Sequence, residues 1–249
     1  MAVITGGSSG IGAALADVLG RRGWKCALLA RGEERLRETA ERVGAEWQVC
    51  DVGDRADVER VALAVTARHP RIDLLVNNAG VAAGADFLAA DAEAMERVVR
   101  INYLGSVWTF RAFLPALEAA APSDVINVVS VAGTTAYPPS GPYSAAKHAQ
   151  LAFSRATAAQ LARRRIRVHA VLPGFVETPG FPQRGRLPPV LAWTVVEPER
   201  VARAIAGLIG SRRREIFVPW WYRPLGMVEG VFPSLVASAL ARGNYRPAA

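Results

Sequence analysis

Cysteine is scarce in this chain: Cys26 and Cys50 are the only two among 249 residues, and each lies within an apolar run. Two such thiols exclude a disulfide framework and favour a reducing compartment, so we expect a cytoplasmic location. The N-terminus lacks a charged segment followed by an apolar stretch, because strand-like residues begin at Ala2. We therefore expect no secretory leader, and we expect no metal site.

Long Gly/Ser/Pro tracts, blocks of like charge and fixed-period repeats are also missing. Because 51% of the residues are apolar, we predict a globular protein with a single domain over residues 1–249. The net charge of +8 comes from arginines spread over many segments, without a basic stripe interleaved with aromatics. We therefore expect a small-molecule substrate and no nucleic-acid partner.

Short β-rich runs alternate with amphipathic helical patterns along the whole chain. Strands are predicted at residues 2–5, 25–30, 47–51, 73–77, 125–130, 167–172 and 215–218, and helices at residues 11–22, 33–43, 54–68, 91–118, 143–164 and 197–211. This order predicts an α/β fold, a doubly wound parallel seven-stranded sheet in a Rossmann-type three-layer α/β/α sandwich. Ligands of such folds bind at the carboxyl ends of the strands, so motifs that follow strands are the functional candidates.

A glycine-rich loop follows the first predicted strand and opens the first helix. Residues 5–12 read Thr-Gly-Gly-Ser-Ser-Gly-Ile-Gly. These glycines let the backbone turn tightly and approach a pyrophosphate at the helix N-terminus, although an ordinary glycine-rich turn is the alternative. The predicted cofactor-binding residues here are Gly6, Ser8, Ser9, Gly10, Ile11 and Gly12.

The ends of the second and third predicted strands bear on which nicotinamide cofactor binds. Where an acidic residue would bond the ribose hydroxyls of NAD, the chain has Arg31, whose guanidinium suits the 2′-phosphate of NADP. We therefore favour NADP over NAD, with a solvated charge at a helix start as the alternative for Arg31. Asp51 could accept from the adenine amino group while Val52 packs on the ring, or Asp51 could simply begin a helix.

Two more groups of residues follow the fourth and fifth predicted strands. Residues 77–80 read Asn-Asn-Ala-Gly, a segment small enough for close packing against a cofactor but also typical of a plain turn. Ser130 ends the fifth strand, and Tyr143 and Lys147 lie four residues apart on one face of the next helix, so these three side chains can converge. The predicted cofactor contacts after the fourth strand are Asn78, Ala79 and Gly80.

Tyr143 and Lys147 have the properties needed for carbonyl chemistry. Reduction needs a proton donor beside the hydride acceptor, and a tyrosine with an ordinary pKa of about 10 is a poor base at neutral pH. We expect the Lys147 ammonium and a helix N-terminus to lower the Tyr143 pKa by about three units, which takes roughly 4 kcal/mol. Ser130 would polarise the substrate oxygen, and Lys147 would also bind the nicotinamide ribose.

Over residues 2–218 the chain resembles the classical short-chain dehydrogenase/reductase family. The shared pattern is TGxxxGxG, NNAG, an Asn in the long central helix, Ser, YxxxK and a PG…T segment, in that order. The resemblance implies Tyr143 as general acid/base, with Ser130 on the substrate oxygen. It implies Lys147 as pKa modulator and ribose ligand, and Asn102 as a link in the proton relay. The residues it places against the nicotinamide are Pro173, Gly174, Val176 and Thr178.

The resemblance further implies an oxidoreductase that moves hydride between NADP(H) and a carbonyl or secondary alcohol, working as a homodimer or homotetramer through the two long helices. A non-catalytic nucleotide-binding sensor or scaffold of the same fold is the alternative. We expect residues 179–196 to form the substrate loop and residues 219–249 an apolar C-terminal tail, whose prolines and glycines break any membrane-spanning run. The aromatic residues of this tail indicate a lipophilic pocket wall or a peripheral membrane contact, with an oligomer interface or a strap over the core as the alternative.

Overall fold

The computed structural model of the protein describes residues 1–184 and 193–242. Within them lies one sheet of seven strands: β1 (Ala2–Thr5), β2 (Cys26–Ala30), β3 (Glu46–Val49), β4 (Leu74–Asn77), β5 (Ser123–Val128), β6 (Ile166–Pro173) and β7 (Glu215–Val218). The strands are parallel and their order is β3-β2-β1-β4-β5-β6-β7. The order reverses between β1 and β4, and this switch point is where doubly wound sheets bind ligands.

Helices connect successive strands and continue beyond the last one. They are α1 (Gly10–Gly20), α2 (Glu33–Val43), α3 (Arg55–Arg68), α4 (Ala92–Val99), α5 (Gly105–Ala120), α6 (Gly141–Gln160), α7 (Pro198–Ala206), α8 (Arg223–Val231) and α9 (Pro233–Arg242). Local signals explain several of their ends. The Asp54 carboxylate caps α3 by accepting from the backbone N–H groups of Ala56 and Asp57, and Gly44 ends α2 with φ 67°.

Strand side chains alternate between two buried faces of the sheet. On one face Ile4 packs with α1, α2 and α7, in a cluster that includes Leu15. On the other face Val3 packs with α3, α5 and α6, in a cluster that includes Phe113. All four side chains are fully buried, as expected for a parallel sheet covered by helices on both sides. The predicted three-layer sandwich is thereby confirmed.

The helix predicted over residues 91–118 is interrupted by a turn of different geometry. Between α4 and α5 the segment Arg100–Leu104 is π-helical, and it contains Asn102. Such turns inside α-helices often occur at functional sites, because the wider turn moves backbone groups out of the regular hydrogen-bond ladder. Apolar spacing alone could not predict this insertion.

The predicted apolar tail is helical where the structure describes it. A 3-10 turn over Trp220–Tyr222 leads into α8, and α9 follows at once. Pro224 lies in the first turn of α8 and Pro233 begins α9, positions at which proline starts a helix rather than breaking one. In residues 1–184 and 193–242 no helix is long and apolar enough to cross a bilayer. Residues 185–192 of the predicted substrate loop and residues 243–249 of the tail lie outside the described residues.

A buried ionic cluster joins the amino-terminal parts of β5 and β6. Asp124 is 2% exposed and accepts two hydrogen bonds of 2.8 Å from the Arg167 guanidinium and one of 3.0 Å from the His169 ring. Burial by itself would raise the pKa of Asp124, but the hydrogen bonds from Arg167 and His169 outweigh it and hold the pKa below its ordinary value. The cluster therefore stabilises the fold while this carboxylate is ionised.

Candidate active site

The glycine-rich loop after β1 packs directly against the segment after β4. Gly6 has φ +66°, and a Cβ there would lie 2.8 Å from Nδ2 of Asn78 and 2.9 Å from Cα of Ala79. A Cβ on Gly12 would lie 2.3 Å from the carbonyl oxygen of Gly6. Nδ2 of Asn78 also donates to the carbonyl oxygens of Thr5, at 2.9 Å, and Gly6, at 3.2 Å. The loop therefore excludes side chains and presents backbone at the switch point.

The N-terminus of α1 offers backbone N–H groups at this loop. Ser9 is the N-cap residue, but its side chain makes no capping hydrogen bond, and the first turn contains no acidic residue. Gly10 has φ +53°, and a Cβ there would lie 3.0 Å from Cγ2 of Thr178. The carbonyl oxygen of Ser8 accepts a hydrogen bond from the Thr39 hydroxyl of α2, and the Ile11 side chain packs against the core. Helix N-termini of this kind stabilise anions, so the cradle fits the pyrophosphate of a dinucleotide.

Arg31 and Asp51 lie side by side, just beyond the carboxyl ends of β2 and β3. A guanidinium nitrogen of Arg31 is 3.9 Å from a carboxylate oxygen of Asp51, and the two side chains are 54% and 43% exposed. Asp51 accepts from the backbone N–H of Gly53 at 2.8 Å, while Val52 is buried against α5. Because α3 is capped by Asp54, the alternative of Asp51 as a helix-start residue is wrong.

The segment after β4 brings the central helix and the β5 side of the sheet together. Nδ2 of Asn77 donates to Oδ1 of Asn127 at 2.8 Å, which ties β4 to β5. A Cβ on Gly80 would lie 2.7 Å from Oδ1 of Asn102 and 3.8 Å from Nζ of Lys147. Glycine at this position is what allows Asn102 and Lys147 to approach the same point.

The side chain of Asn102 is fully buried, and both its amide nitrogen and its amide oxygen make hydrogen bonds. Its Nδ2 donates to the carbonyl oxygens of Val81 and Val98, each at 2.9 Å, and its Oδ1 accepts from the backbone N–H of Val81 at 3.2 Å. These bonds fix the π-helical turn against the segment after β4. The side chain of Asn102 is therefore committed to holding this turn.

Ser130, Tyr143 and Lys147 come together at the carboxyl end of β5. Ser130 lies two residues beyond β5 and accepts from the backbone N–H of Ala132 at 3.1 Å. Tyr143 lies in the first turn of α6, with its hydroxyl close enough to Ser130 for a hydrogen bond between them to influence the Tyr143 pKa. Nζ of Lys147 is 5.7 Å from the centre of the Tyr143 ring, and Lys147 is only 3% exposed.

The protonation of Tyr143 and Lys147 differs from the sequence-based prediction. Burial raises the pKa of Tyr143 to about 12, although the hydrogen bond with Ser130 lowers it. Burial lowers the pKa of Lys147 to about 7. Nζ of Lys147 donates to the carbonyl oxygen of Val128 at 3.0 Å and to Oε1 of Gln150 at 2.8 Å, and not to the Tyr143 hydroxyl. The expected lowering of the Tyr143 pKa is therefore wrong, because burial, the largest effect on this hydroxyl, outweighs the hydrogen bond with Ser130.

The segment after β6 closes the other side of the cradle. Pro173 ends β6, and the backbone N–H of Gly174 donates to the carbonyl oxygen of Val218 at 2.9 Å. Val176 is buried and forms an isolated bridge with residue 196. Oγ1 of Thr178 accepts from the backbone N–H of residue 181 at 3.1 Å, with its methyl group beside the glycine loop. Of the four residues predicted to face the nicotinamide, Thr178 thus lies beside the glycine-rich loop, and the other three lie at the end of β6 or just beyond it.

The C-terminal segment, residues 219–242, packs against loops at the carboxyl ends of β5 and β6. A Cβ on Gly174 would lie 2.1 Å from the ring of Tyr222, so that ring rests on the backbone after β6. A Cβ on Gly226 would lie 2.5 Å from Oγ1 of Thr134, and the Glu229 carboxylate accepts from the backbone N–H of residue 136 at 2.9 and 3.0 Å. The segment therefore contacts the loops that follow both β5 and β6.

Sequence reasoning missed two sets of residues at this site. Gln150 contacts Lys147 and was not predicted, although its spacing of three residues puts both on one helical face. Gly226 and Glu229 were expected only as part of an apolar tail, since no local spacing reveals which distant loops a terminal helix will contact. These positions lie outside the pattern that carried the prediction.

A dinucleotide cradle at the switch point of a doubly wound sheet defines the class of the protein, the Rossmann-type oxidoreductases. Within this class the chain belongs to the short-chain dehydrogenase family, because the model of that family, described as short chain dehydrogenase, matches residues 1–186. The predicted family is thereby confirmed.

Individual relatives extend this likeness beyond the matched region. The 17-beta-hydroxysteroid dehydrogenase 13 of Rattus norvegicus is 31% identical over 96% of this chain and 81% of its own. A structure of a variant actinorhodin polyketide ketoreductase with NADPH has 31% identity and a TM-score of 0.78, covering 86% of this chain and 93% of that one. A short chain dehydrogenase/reductase from Burkholderia phymatum in complex with NAD has 25% identity and a TM-score of 0.84, covering 100% of this chain and 97% of that one.

Proposed function

We propose that this short-chain dehydrogenase transfers hydride between NADP(H) and a bulky, lipophilic ketone or the corresponding secondary alcohol. The observation that carries the proposal is the meeting of Ser130, Tyr143 and a buried Lys147 beside the glycine cradle. Burying a lysine to 3% exposure costs free energy, and buried ionisable groups of this kind cluster at functional sites. A functional role for the Lys147 amine explains why it is buried here.

Each residue of this group has a distinct task in the proposal. The reduced nicotinamide, when bound, supplies the hydride. Ser130 donates to the substrate oxygen and fixes its position, while Tyr143 gives the proton to that oxygen as charge develops on it. Lys147 binds the ribose hydroxyls and orients the cofactor, and the Asn102 carbonyl oxygen links Lys147 to the proton supply.

The protonation of Tyr143 suits the role of a general acid. With a pKa raised to about 12 by burial, Tyr143 keeps its proton at neutral pH. This is the form from which it would donate to the substrate oxygen during ketone reduction.

The chemistry of the cradle fits NADP. The uncapped N-terminus of α1 would hold the pyrophosphate, and Arg31 would bond the 2′-phosphate. The Arg31 guanidinium has no hydrogen-bond partner closer than the 3.9 Å contact with Asp51 among the described ion pairs, so its donors are available. The polyketide ketoreductase solved with NADPH supports this preference, whereas the NAD complex from Burkholderia phymatum shows that the fold accepts either cofactor.

Aromatic residues around the site support a lipophilic substrate. The Tyr143 ring lies 5.6 Å from the ring of Phe181, and the Phe175 ring lies 6.3 Å from that of Tyr222. These apolar walls lie on the substrate side of the cradle, where they would bury the body of a ketone. The name of the rat relative, a hydroxysteroid dehydrogenase, agrees with a ketone of this size.

A spectrophotometric assay tests the proposed function. Oxidation of NADPH and of NADH would be followed at the nicotinamide absorbance band with small, aliphatic and polycyclic ketones. We expect turnover of bulky ketones with NADPH, lost in Tyr143→Phe and retained in Tyr137→Phe, a matched change at a half-exposed tyrosine six residues before Tyr143. Absence of turnover across the panel, with NADPH binding intact, would favour the alternative of a nucleotide-binding sensor.

We propose in addition that the outer face of the C-terminal segment contacts a membrane surface. Trp220 is 74% exposed, and α8 and α9 expose a row of further apolar side chains, whereas the one carboxylate of the segment, Glu229, is bonded to the backbone at residue 136. Exposed Arg223 and the net charge of +8 favour anionic lipid. The exposed apolar side chains are Leu225, Met227, Val228, Val231, Phe232 and Leu235.

Sedimentation with vesicles of anionic lipid tests this contact. We expect the double variant Trp220→Ser/Phe232→Ser to lose most of the bound fraction, and Leu63→Ser, which removes a 73% exposed leucine from α3, to keep it. Equal binding of all three proteins would rule the contact out. A change of oligomeric state in the double variant, without lipid binding by wild type, would show a contact between subunits instead.

We propose that the protein forms a homodimer through α5 and α6. A groove between these helices is lined by aromatic and aliphatic side chains, and Phe110 and Phe153 meet edge to face within it at 5.6 Å. Phe110 is already buried, and a second copy of the same face would cover the half-buried Phe153 and the rest of the groove in a symmetric interface. Light scattering of wild type and Phe153→Asp tests this, since a dimer through the groove should become a monomer in the variant.

A further inference from the structure

Gln150 lies one turn beyond Lys147 on α6, and it is fully buried. Its Oε1 lies 2.8 Å from Nζ of Lys147, and its Nε2 lies 2.8 Å from Oγ of Ser106 on α5. Oγ of Ser106 in turn lies 3.5 Å from the carbonyl oxygen of Asn102. A continuous buried path of polar groups therefore runs from Lys147 to the π-helical turn.

Hydrogen-bond accounting fixes the orientation of this path. The Lys147 ammonium can only donate, so the Gln150 atom that faces it must be the amide oxygen. The amide nitrogen then donates to Ser106, and the Ser106 hydroxyl is free to donate to Asn102. Each contact along the path thus joins a donor to an acceptor, which lowers the cost of burying these polar groups.

The anchoring of α6 does not depend on the Gln150 side chain. Nδ2 of Asn127 on β5 donates to Oγ of Ser154 at 2.9 Å, and that hydroxyl donates to the backbone carbonyl of Gln150 at 2.7 Å. This second connection ties the same helix to the sheet. The Gln150 amide is therefore available for a task other than holding the helix in place.

We propose that Gln150 is a positioning residue, which holds the Lys147 ammonium and, through Ser106, keeps it in register with the Asn102 carbonyl group. An ammonium has three N–H groups. The Val128 carbonyl oxygen and Gln150 take two of them, so the direction of the third is set. Since Gln150 acts through Lys147, its effect on turnover depends on the proposed function.

The surroundings of Lys147 make the Gln150 contact measurable. Tyr143, with its ring centre 5.7 Å from Nζ, is the titratable side chain that the described residues place beside it. The contacts from β5 and from α5 are neutral groups, the Val128 carbonyl and the Ser106 hydroxyl by way of Gln150. Removing the amide oxygen should therefore destabilise the charged amine, and replacing it with a carboxylate should stabilise it.

Nuclear magnetic resonance can observe this amine in the intact protein without any substrate. The chain has two lysines, Lys147 and the exposed Lys25, so ¹³Cε-lysine labelling gives one reporter and one internal control. Burial places the pKa of Lys147 at about 7 in the wild type. We expect its titration midpoint to fall by about one to two pH units in Gln150→Leu and to rise in Gln150→Glu, with Lys25 unchanged.

Turnover should follow the same opposite shifts. If the charged Lys147 is needed for ketone reduction, kcat/KM falls above the Lys147 midpoint, and this basic limb moves to lower pH in Gln150→Leu and to higher pH in Gln150→Glu. Thr157→Val is the matched control, because it removes a buried hydroxyl of the same helix that bonds only backbone carbonyls in the described structure. Thr157→Val should keep the wild-type pH profile. If Gln150 had a purely structural role, Gln150→Leu and Gln150→Glu would keep that profile too.

Three results separate the possibilities. Opposite shifts of the Lys147 midpoint in the two variants support the proposal, and unchanged or parallel shifts overturn it. If Gln150→Leu does not fold, Gln150→Asn, whose shorter amide cannot reach Nζ, replaces it with the same expected direction. Failure of wild type to reduce any ketone refutes the proposed function, while the resonance titration still decides whether Gln150 holds the ammonium.

Discussion

Replacing Arg31 with aspartate tests which nicotinamide cofactor the protein prefers. The guanidinium lies just beyond β2, 3.9 Å from the Asp51 carboxylate, and it is 54% exposed. A separation of 3.9 Å is longer than a hydrogen bond, so Arg31 is drawn toward Asp51 without being consumed by it. An incoming 2′-phosphate would take up those donors, whereas Arg31→Asp would set a second carboxylate beside Asp51 and repel that phosphate.

The size of the effect follows from exposure. A hydrogen bond between charged groups contributes about 1.5–3 kcal/mol, and about 1.4 kcal/mol corresponds to a factor of ten. Because the guanidinium is half exposed and screened by solvent, the lower end of that range applies, a loss of roughly tenfold in kcat/KM for NADPH. The new carboxylate can accept from the ribose hydroxyls of NADH, and a similar gain there brings the change in the NADPH/NADH ratio to about 100-fold.

Initial rates with each cofactor, on one ketone at fixed ionic strength, measure this ratio. Arg35→Asp is the matched control, since it makes the same change of charge at an exposed arginine in the first turn of α2. Only Arg31→Asp should alter the ratio of the NADPH rate to the NADH rate. A general loss of attraction for anions, which both variants share, lowers the rates with the two cofactors alike. An unchanged ratio in Arg31→Asp would refute the reasoning and return Arg31 to the role of a solvated charge.

Three further outcomes are expected. Tyr143→Phe should abolish hydride transfer and leave NADPH affinity, measured by fluorescence titration, within about twofold of wild type, because the ring packing survives. The stabilisation contributed by Asp124 should be fully present above the pKa of this group in the unfolded chain, and it should be lost as pH falls through the lowered pKa in the folded protein. Asp124→Asn should lower the free energy of unfolding, measured with denaturant at neutral pH, by about 3–5 kcal/mol and remove this acid dependence. Gly226→Val should slow reduction of bulky ketones more than of small ones, since a Cβ there already lies 2.5 Å from Thr134 and α8 must move.

Much of the fold and site could be predicted because the determining signals are local. Buried strands of four to eight residues stand out between turn signals, and glycines after a strand indicate close backbone approach. Gly6 and Gly12 show this directly, since added methyl groups would meet backbone and amide atoms at 2.3–2.9 Å. Strand ends were accordingly predicted to within two residues, and the residues of the cradle lie where the pattern implied.

The missed features depend on contacts between distant segments. The π-helical turn at Asn102 adds a residue without changing the apolar pattern that predicts a helix. The pKa of Tyr143 depends on how deeply the finished fold buries it, and the predicted shift considered a neighbouring charge but not that burial. Gln150 was within reach of the helical spacing argument, but its partner Ser106 comes from another helix.

The C-terminal segment has two different faces. On the inner face of α8, Gly226 packs closely against Thr134, and the Glu229 carboxylate accepts a hydrogen bond from the backbone of the loop after β5. Tyr222, just before α8, rests on the backbone after β6. One short stretch therefore touches the loops after both β5 and β6, while its outer face exposes apolar side chains such as Met227 at 62%. Because the same helix makes the inner contacts and exposes the patch, the proposed membrane contact and the proposed preference for bulky ketones would both depend on this one segment.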